Sequence, residues 1–290
     1  MRNQAPSIPG SSPGPAGRRL TALVLAALVI ASGTPCCVTP SGSSDLQSSP
    51  GALAGYRALF KVVTDGPRGR AHFRMAAALL PPERLRLEFF GPVGGPRLIV
   101  AVDGAQVLAI IPGERRYDAA PASAETLDRI LGLPLNAPQV IALLSGRPMC
   151  SSETAEQQVQ TKLAATFGRT LAWVEVTCPP DDIRYEARCQ DRGGILREAS
   201  VREGLTGAMI LQVQYEDHET GAGPRWPRRI RMKLARDNTR IDLEAVEGPV
   251  VSPTSPAIFA PPVPEGFEKR SLLASPTAPG LLGSTSDREK

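Results

Sequence analysis

The stretch Arg84–Asp103, RLRLEFFGPVGGPRLIVAVD, is where the fold of this chain is read. Leu85, Leu87 and Phe89 alternate with Arg84, Arg86 and Glu88, so a strand here has one apolar and one wet face. Leu98, Val100 and Val102 repeat the alternation on the far side of Gly91-Pro92-Val93-Gly94-Gly95-Pro96. A tip that only turns the chain normally carries Asn, Asp or Ser. This one has no polar side chain, and Val93 stands among glycines and prolines. Such a tip is either buried or offered to another apolar phase.

The same period runs outward in both directions. Tyr56–Thr64 and Arg70–Leu79 read as strands about the turn Asp65-Gly66-Pro67, with Ala71, Phe73 and Met75 on one face and His72 and Arg74 on the other. Asp103-Gly104 is a strong hairpin signal leading into Gln106–Ile111, which Pro112-Gly113 closes. Further strands are expected at Leu171–Thr177, Ile183–Cys189, Ile195–Val201, Ala208–Asp217, Arg228–Ala235 and Arg240–Val246. The total is about eleven. Met209, Leu211, Val213 and Tyr215 share one face of their strand, and Ile230, Met232 and Leu234 share one face of the next. Residues 151–168 are polar and read as a surface helix or an insertion.

Between the two sets of strands the period changes to that of a helix. Leu127, Ile130 and Leu131 form one stripe, stopped by Gly132. Asn136 can cap a second helix, with Pro138 in its first turn and Gln139 three positions on. Val140, Ile141, Leu143 and Leu144 make its apolar face, and Gly146 ends it. Two short helices this apolar need a greasy surface to receive them. Meandering antiparallel strands, each apolar on one face, must curl around something. The expected architecture is mainly β with α: a curved antiparallel sheet covered by a short helical lid.

The ends of the chain differ from its middle. Arg18-Arg19 precede an apolar run from Leu20 to Ala31, followed by Ser32-Gly33-Thr34-Pro35-Cys36-Cys37. A basic flank, about a dozen apolar residues and small residues make a secretory signal, too short to span a bilayer. Residues 1–36 are therefore read as a signal peptide of lipoprotein type, with Cys36 and Cys37 as lipid-anchor candidates. Pro35 departs from the usual lipoprotein pattern, and cleavage after Ala31-Ser32-Gly33 would give a soluble periplasmic protein instead. Residues 37–53 read as a flexible tether, 54–247 as the folded domain and 248–290 as a Pro/Ser-rich, mostly disordered tail.

Charge and composition exclude several functions. The chain carries 33 Lys and Arg against 29 Asp and Glu. Removing residues 1–36 takes away three arginines and no acid, leaving 30 against 29. No clustered basic footprint for nucleic acid follows from such a balance. With two histidines in 290 residues, and no nucleophile elbow or phosphate loop, the chain is expected to be no enzyme and to hold no metal or cofactor. His72 reads as a solvated strand residue and His218 as part of an acidic loop. An oxidising compartment permits one disulfide among Cys150, Cys178 and Cys189. A tight hairpin over Pro179–Asp182 would set Cys178 beside Ile183 and away from Cys189, but the pairing is otherwise open.

The order of these pieces resembles a known family. A strand, the loop GPVGGP, a strand and a hairpin lead into YDAAPASAETLDRILGLPLNAPQVIALLSGRP, and the late strands end in WPRRIRMKLARDNTRIDLEAV. Over about residues 54–247 this resembles the LolA/LolB lipoprotein-carrier fold, and within it the outer-membrane lipoprotein receptor LolB. The resemblance implies an eleven-stranded antiparallel half-barrel whose helical lid encloses a hydrophobic cavity for acyl chains. It also implies an anchored, monomeric protein on the periplasmic face of the outer membrane. Its partners would be acylated lipoproteins or lipids, the membrane itself and a periplasmic LolA-like carrier. Pro92, Val93 and Gly94 match the membrane-contacting loop, with Val93 as its protruding residue.

Cavity-lining candidates follow from the apolar faces. They are Phe73, Leu85, Leu87, Leu98 and Val100 from the early strands and Leu127, Ile130, Leu131, Val140, Leu143 and Leu144 from the helices. Met209, Leu211, Ile230 and Met232 come from the late strands. Aromatic residues are only 4% of the chain, so these faces are mainly aliphatic and suit flexible ligands. The alternative function is an envelope assembly lipoprotein that uses the same fold as a protein-interaction scaffold.

Overall fold

The structure, a computed structural model, describes residues 53–67, 69–91, 94–149, 160–166, 169–178, 183–190, 195–219 and 225–271. All eleven expected strands are present. Leu53–Gly66 (β1), Gly69–Leu80 (β2), Arg84–Phe90 (β3), Pro96–Asp103 (β4) and Gln106–Ile111 (β5) form a continuous antiparallel meander. Three strands come in addition: Arg116–Pro121 (β6), Gln160–Thr166 (β7) and Glu268–Lys269 (β14). The later strands are Arg169–Cys178 (β8), Ile183–Gln190 (β9), Ile195–Glu203 (β10), Met209–His218 (β11), Pro227–Leu234 (β12) and Arg240–Thr254 (β13).

One sheet holds all of them, in the order β14-β6-β5-β4-β3-β2-β1-β13-β12-β11-β10-β9-β8-β7. Its two ends do not pair, so it stays an open half-barrel. The first and last long strands meet in the middle, where Val62 of β1 faces Leu243 of β13. Every pairing except β14 with β6 is antiparallel. Alternation therefore sends one apolar set inward along the whole meander. Val62, Met75, Leu87, Val100, Ile230 and Leu243 belong to one buried cluster.

The lid lies on that face. Ala124–Leu131 (α1) and Ala137–Leu144 (α2) are each 8 residues long, too short to persist alone in water. Their ends are tightly specified. Ser123 Oγ accepts from Thr126 N–H at 3.1 Å, and α1 closes at Gly132, whose N–H bonds Asp128 O at 2.7 Å. Asn136 accepts from Gln139 N–H at 3.0 Å and donates its own N–H to Gln139 Oε1 at 2.9 Å. This capping box satisfies two otherwise orphaned donors at the start of α2. Leu127, Ile130 and Leu131, and Val140, Leu143 and Leu144, all join the buried cluster with the strands. Packing on the sheet, not helix propensity, holds these helices.

The expected tail boundary at residue 247 does not hold. β13 runs on to Thr254, with Val251 opposite Tyr56 and Thr254 opposite Leu53 of β1. A 3-10 turn, Pro256–Phe259, then packs against β3 and β4, and Arg86 donates to Ile258 O at 2.9 Å. The reason is on the outer face of the sheet. Ala101 and Ile110 alternate with the inward set, yet both are buried, as is Phe259, and none of the three belongs to the inner cluster. The segment after β13 is a strap that covers this second apolar patch. It ends in β14, whose pairing with β6 caps a strand edge that would otherwise be bare. Residues 272–290 lie outside the described residues, as does the leader with Cys36 and Cys37.

Candidate functional site

The hairpin turns place the site. β1–β2, β3–β4, β5–β6, β10–β11 and β12–β13 all turn at one end of the half-barrel. That end is the rim carrying the Gly91–Pro96 loop. Helix α1 points its C-terminus at it, because Arg236 on the β12–β13 turn donates to Asp128 at 2.6 Å and to Gly132 O at 3.0 Å. At the opposite end Arg147, just after α2, donates to the Tyr56 hydroxyl at 2.9 Å. The Tyr56 ring also packs edge-on against Trp226 at 4.6 Å. The lid is thus held at both ends by polar contacts and along its length by apolar ones.

A pocket of about 700 Å³ opens at this rim between α1 and the ends of β2–β5. Phe73, Phe89, Leu98, Ile111, Ile130 and Leu131 supply its apolar walls; His72, Arg97 and Glu114 are its polar side chains. A volume of several hundred cubic ångströms is typical of a site for a small organic ligand. Deeper, under the lid, the space narrows to about 30 Å³, lined by residues including Val62, Met75, Leu143 and Met232. That is room for about two water molecules and far too little for an acyl chain. The cavity expected between sheet and lid is therefore closed in this state. Phe73, Phe89 and Leu131 line both spaces.

The cavity-lining candidates fall into three groups. Phe73, Leu98, Ile130 and Leu131 line the open pocket. Leu87, Val140, Leu143, Leu144 and Met232, again with Phe73 and Leu131, line the closed space. Leu85, Val100, Leu127, Leu211 and Ile230 are buried core residues that touch neither. Met209 stands apart, half-buried and outside the core cluster. The reason is a register irregularity: Val201 opposes Leu211, but Arg202 opposes Met209. The extra residue breaks the alternation, and Ile210 packs against the core instead.

In the loop itself, Pro92 and Val93 lie outside the described residues, and Gly94 is exposed with φ of 92°, a backbone region that favours glycine. Sequence reasoning missed an exposed apolar residue on the same rim. Leu205, on the β10–β11 turn, is 86% exposed. The turn is not loose: Gly207 N–H bonds Glu203 O at 2.8 Å, Ala208 N–H bonds Thr206 Oγ1 at 3.1 Å, and Arg202 donates to Gly207 O at 3.1 Å. The signal in the sequence was a lone Leu among Gly, Thr and Glu in EGLTG. By strand order the β3–β4 and β10–β11 turns are six strand spacings apart, about 30 Å along the sheet.

Of the cysteines, Cys150 lies outside the described residues, while Cys178 and Cys189 have a described backbone. Cys178 pairs in register with Ile183, and Cys189 with Ala172, at opposite ends of the β8–β9 hairpin. That separation, about 20 Å along the strands, is far beyond disulfide reach. His72 is exposed at the pocket mouth. His218 ends β11 at the far rim, where Arg197 lies 3.3 Å from Nδ1. Burial first, and then the charge of Arg197, holds its pKa down to about 4. Among the described residues no three His, Cys, Asp or Glu side chains are grouped for a metal ion, and no helix is long and apolar enough to cross a membrane.

No protein-family model and no curated protein sequence matches the chain. Solved structures do. A LolA superfamily protein from Nitrosomonas europaea aligns with a TM-score of 0.50 at 14% identity, covering 69% of this chain and 86% of its own. A DUF1329 family protein from Desulfovibrio piger aligns with a TM-score of 0.51 at 8% identity, covering 68% and 85%. At these identities the likeness speaks for backbone architecture alone, and what it establishes is that this chain has the LolA/LolB-like fold, an open antiparallel half-barrel under a helical lid.

Proposed function

We propose that this protein is an envelope lipid or lipoprotein binder of the LolB type. It takes acyl chains into the apolar space between sheet and lid and helps insert them in the outer membrane. The observation that carries this reading is the rim pocket of about 700 Å³ with walls from both the lid and the sheet. Each methylene buried there gains about 0.8 kcal/mol, so an acyl chain can be held with no catalytic group. Release needs a competing apolar phase, which a bilayer supplies. Gly91, Gly95 and Pro96 of the apolar loop border the pocket, and Leu205 stands on the same rim of the half-barrel about 30 Å away along the sheet; together they would bring that phase to the rim. A binding role rather than an enzymatic one is part of the proposal, as is attachment to the membrane through Cys36 or Cys37.

Native mass spectrometry of the detergent-free protein tests the reading. Acylated ligand is expected to co-purify. An empty protein that also takes up no added acyl ligand would sink it and leave the scaffold role, which the nearly filled space under the lid favours. Val93→Glu is expected to abolish transfer of a bound acyl ligand to vesicles while leaving binding intact. Leu205→Asp should weaken transfer in the same way. Unchanged transfer in both variants would mean that the rim does not meet the membrane.

A further inference from the structure

We propose that Arg97 makes the rim pocket selective for amphiphiles with an anionic head, a carboxylate or a phosphate. This rests on the acyl-binding reading and goes beyond it by naming the ligand class.

The pocket has apolar walls and three polar side chains at its mouth. Glu114 is matched, its carboxylate lying 2.7 Å from Arg116. Arg97 is exposed and has no carboxylate partner among the described residues. It is the uncompensated charge of the pocket. Two features of the backbone put it there. The register of the β3–β4 hairpin slips next to the loop: Phe89 opposes Leu98, but Phe90 opposes Pro96. Arg97 is thus the extra residue of a bulge, a device that re-aims a side chain. The side chain then lies against Gly91. A Cβ at that position would stand 2.3 Å from Arg97 Nε and 2.8 Å from Cζ, so a larger residue at position 91 would push the guanidinium from where it now lies.

A guanidinium is charged at every physiological pH and offers paired donors that match a carboxylate or phosphate. Beside an apolar pocket it fits a molecule whose chain enters and whose anionic head stays at the mouth. A fatty acid and a phospholipid share that chemistry. A neutral acylated head would leave Arg97 unused.

The full chain can be tested by displacement of cis-parinaric acid with palmitate, hexadecyl phosphate and hexadecanol, which share a sixteen-carbon chain. The anionic ligands are expected to displace at about tenfold lower concentration than the alcohol, the worth of one charge-assisted contact. Arg97→Gln should shrink that ratio to about twofold or less without moving the alcohol. Arg115→Gln, a rim cation that does not line the pocket, should leave it unchanged and serves as the control. Whichever of palmitate and hexadecyl phosphate binds tighter identifies the carboxylate or the phosphate as the natural head. Equal binding of all three ligands, or a preference that survives in Arg97→Gln, overturns the proposal while leaving acyl binding in place. Failure of the probe and all three ligands to bind removes the acyl-binding reading and the proposal with it.

Discussion

Arg236 and Asp128 join the rim to the lid: the guanidinium donates to both carboxylate oxygens at 2.6 Å and, through its other terminal nitrogen, to the carbonyl of Gly132, the residue that ends α1, at 3.0 Å. The pair sits beside the end of α1 that supplies Ile130 and Leu131 to the pocket. A half-exposed ion pair contributes little to global stability, about 1 kcal/mol or less. Its larger effect is local, because it holds one end of a short helix against opening. Arg236→Gln is therefore expected to leave the melting temperature within a few degrees while speeding acyl-probe exchange several-fold in stopped-flow fluorescence. Identical exchange rates in the two proteins would show that the lid does not open at this end.

Leu143 separates packing from binding. It is fully buried on α2 and lines the narrow space under the lid. Leu143→Ala should cost about 2–5 kcal/mol through lost contacts and a residual cavity. If acyl chains reach that space, they fill the void, so saturating ligand should raise the variant's melting temperature more than the wild type's. Equal ligand-induced shifts would confine binding to the outer pocket.

Much of this architecture could be read before the structure. Period-two alternation from Leu85 to Val102, the Gly132 stop and the Asn136–Gln139 capping box are local signals, and local physics decides them. What escaped was non-local. Arg116–Pro121 and Gln160–Thr166 have little strand character of their own and become strands by pairing with Gln106–Ile111 and Arg169–Cys178. The strap after β13 was hidden because its Pro-rich composition reads as tail, while its reason for folding lies on Ala101 and Ile110, far away in sequence. The pocket itself depends on how far the lid settles into the sheet, and no periodicity encodes that distance. Nothing in the sequence singles out Arg97, because a bulge cannot be seen from one strand alone.

The strap gives a direct test of that non-local claim. Phe259 is 1% exposed, in the turn that packs on β3 and β4. Phe259→Ala should cost about 3–5 kcal/mol, as for a buried aromatic in any core. Ser255→Ala, four residues away, removes only the hydrogen bond its hydroxyl oxygen accepts from Ala257 N–H and should cost about 1 kcal/mol or less. Denaturant midpoints decide the matter. A Phe259→Ala protein as stable as wild type would mean that the segment after β13 is a dispensable tail.

His218 makes stability depend on pH in a known direction. Its folded-state pKa, about 4, lies below the ordinary 6.5, chiefly because the imidazole is partly buried and next because Arg197 repels a proton there. Asp217 acts the other way and Arg225 adds to the depression. Between these two pKa values the unfolded chain binds the proton and the folded chain does not, so stability rises with pH across the window. It follows that His218 contributes no penalty above about pH 6.5, a growing one as pH falls, and its full penalty below about pH 4. Carboxylates titrate in the same range, so the histidine is isolated by difference. His218→Gln should narrow the gap between guanidinium midpoints measured at pH 7.5 and pH 5, because glutamine cannot take up the proton. The same gap in both proteins would show that His218 titrates alike in the folded and unfolded chains, contrary to its setting between Arg197 and Arg225.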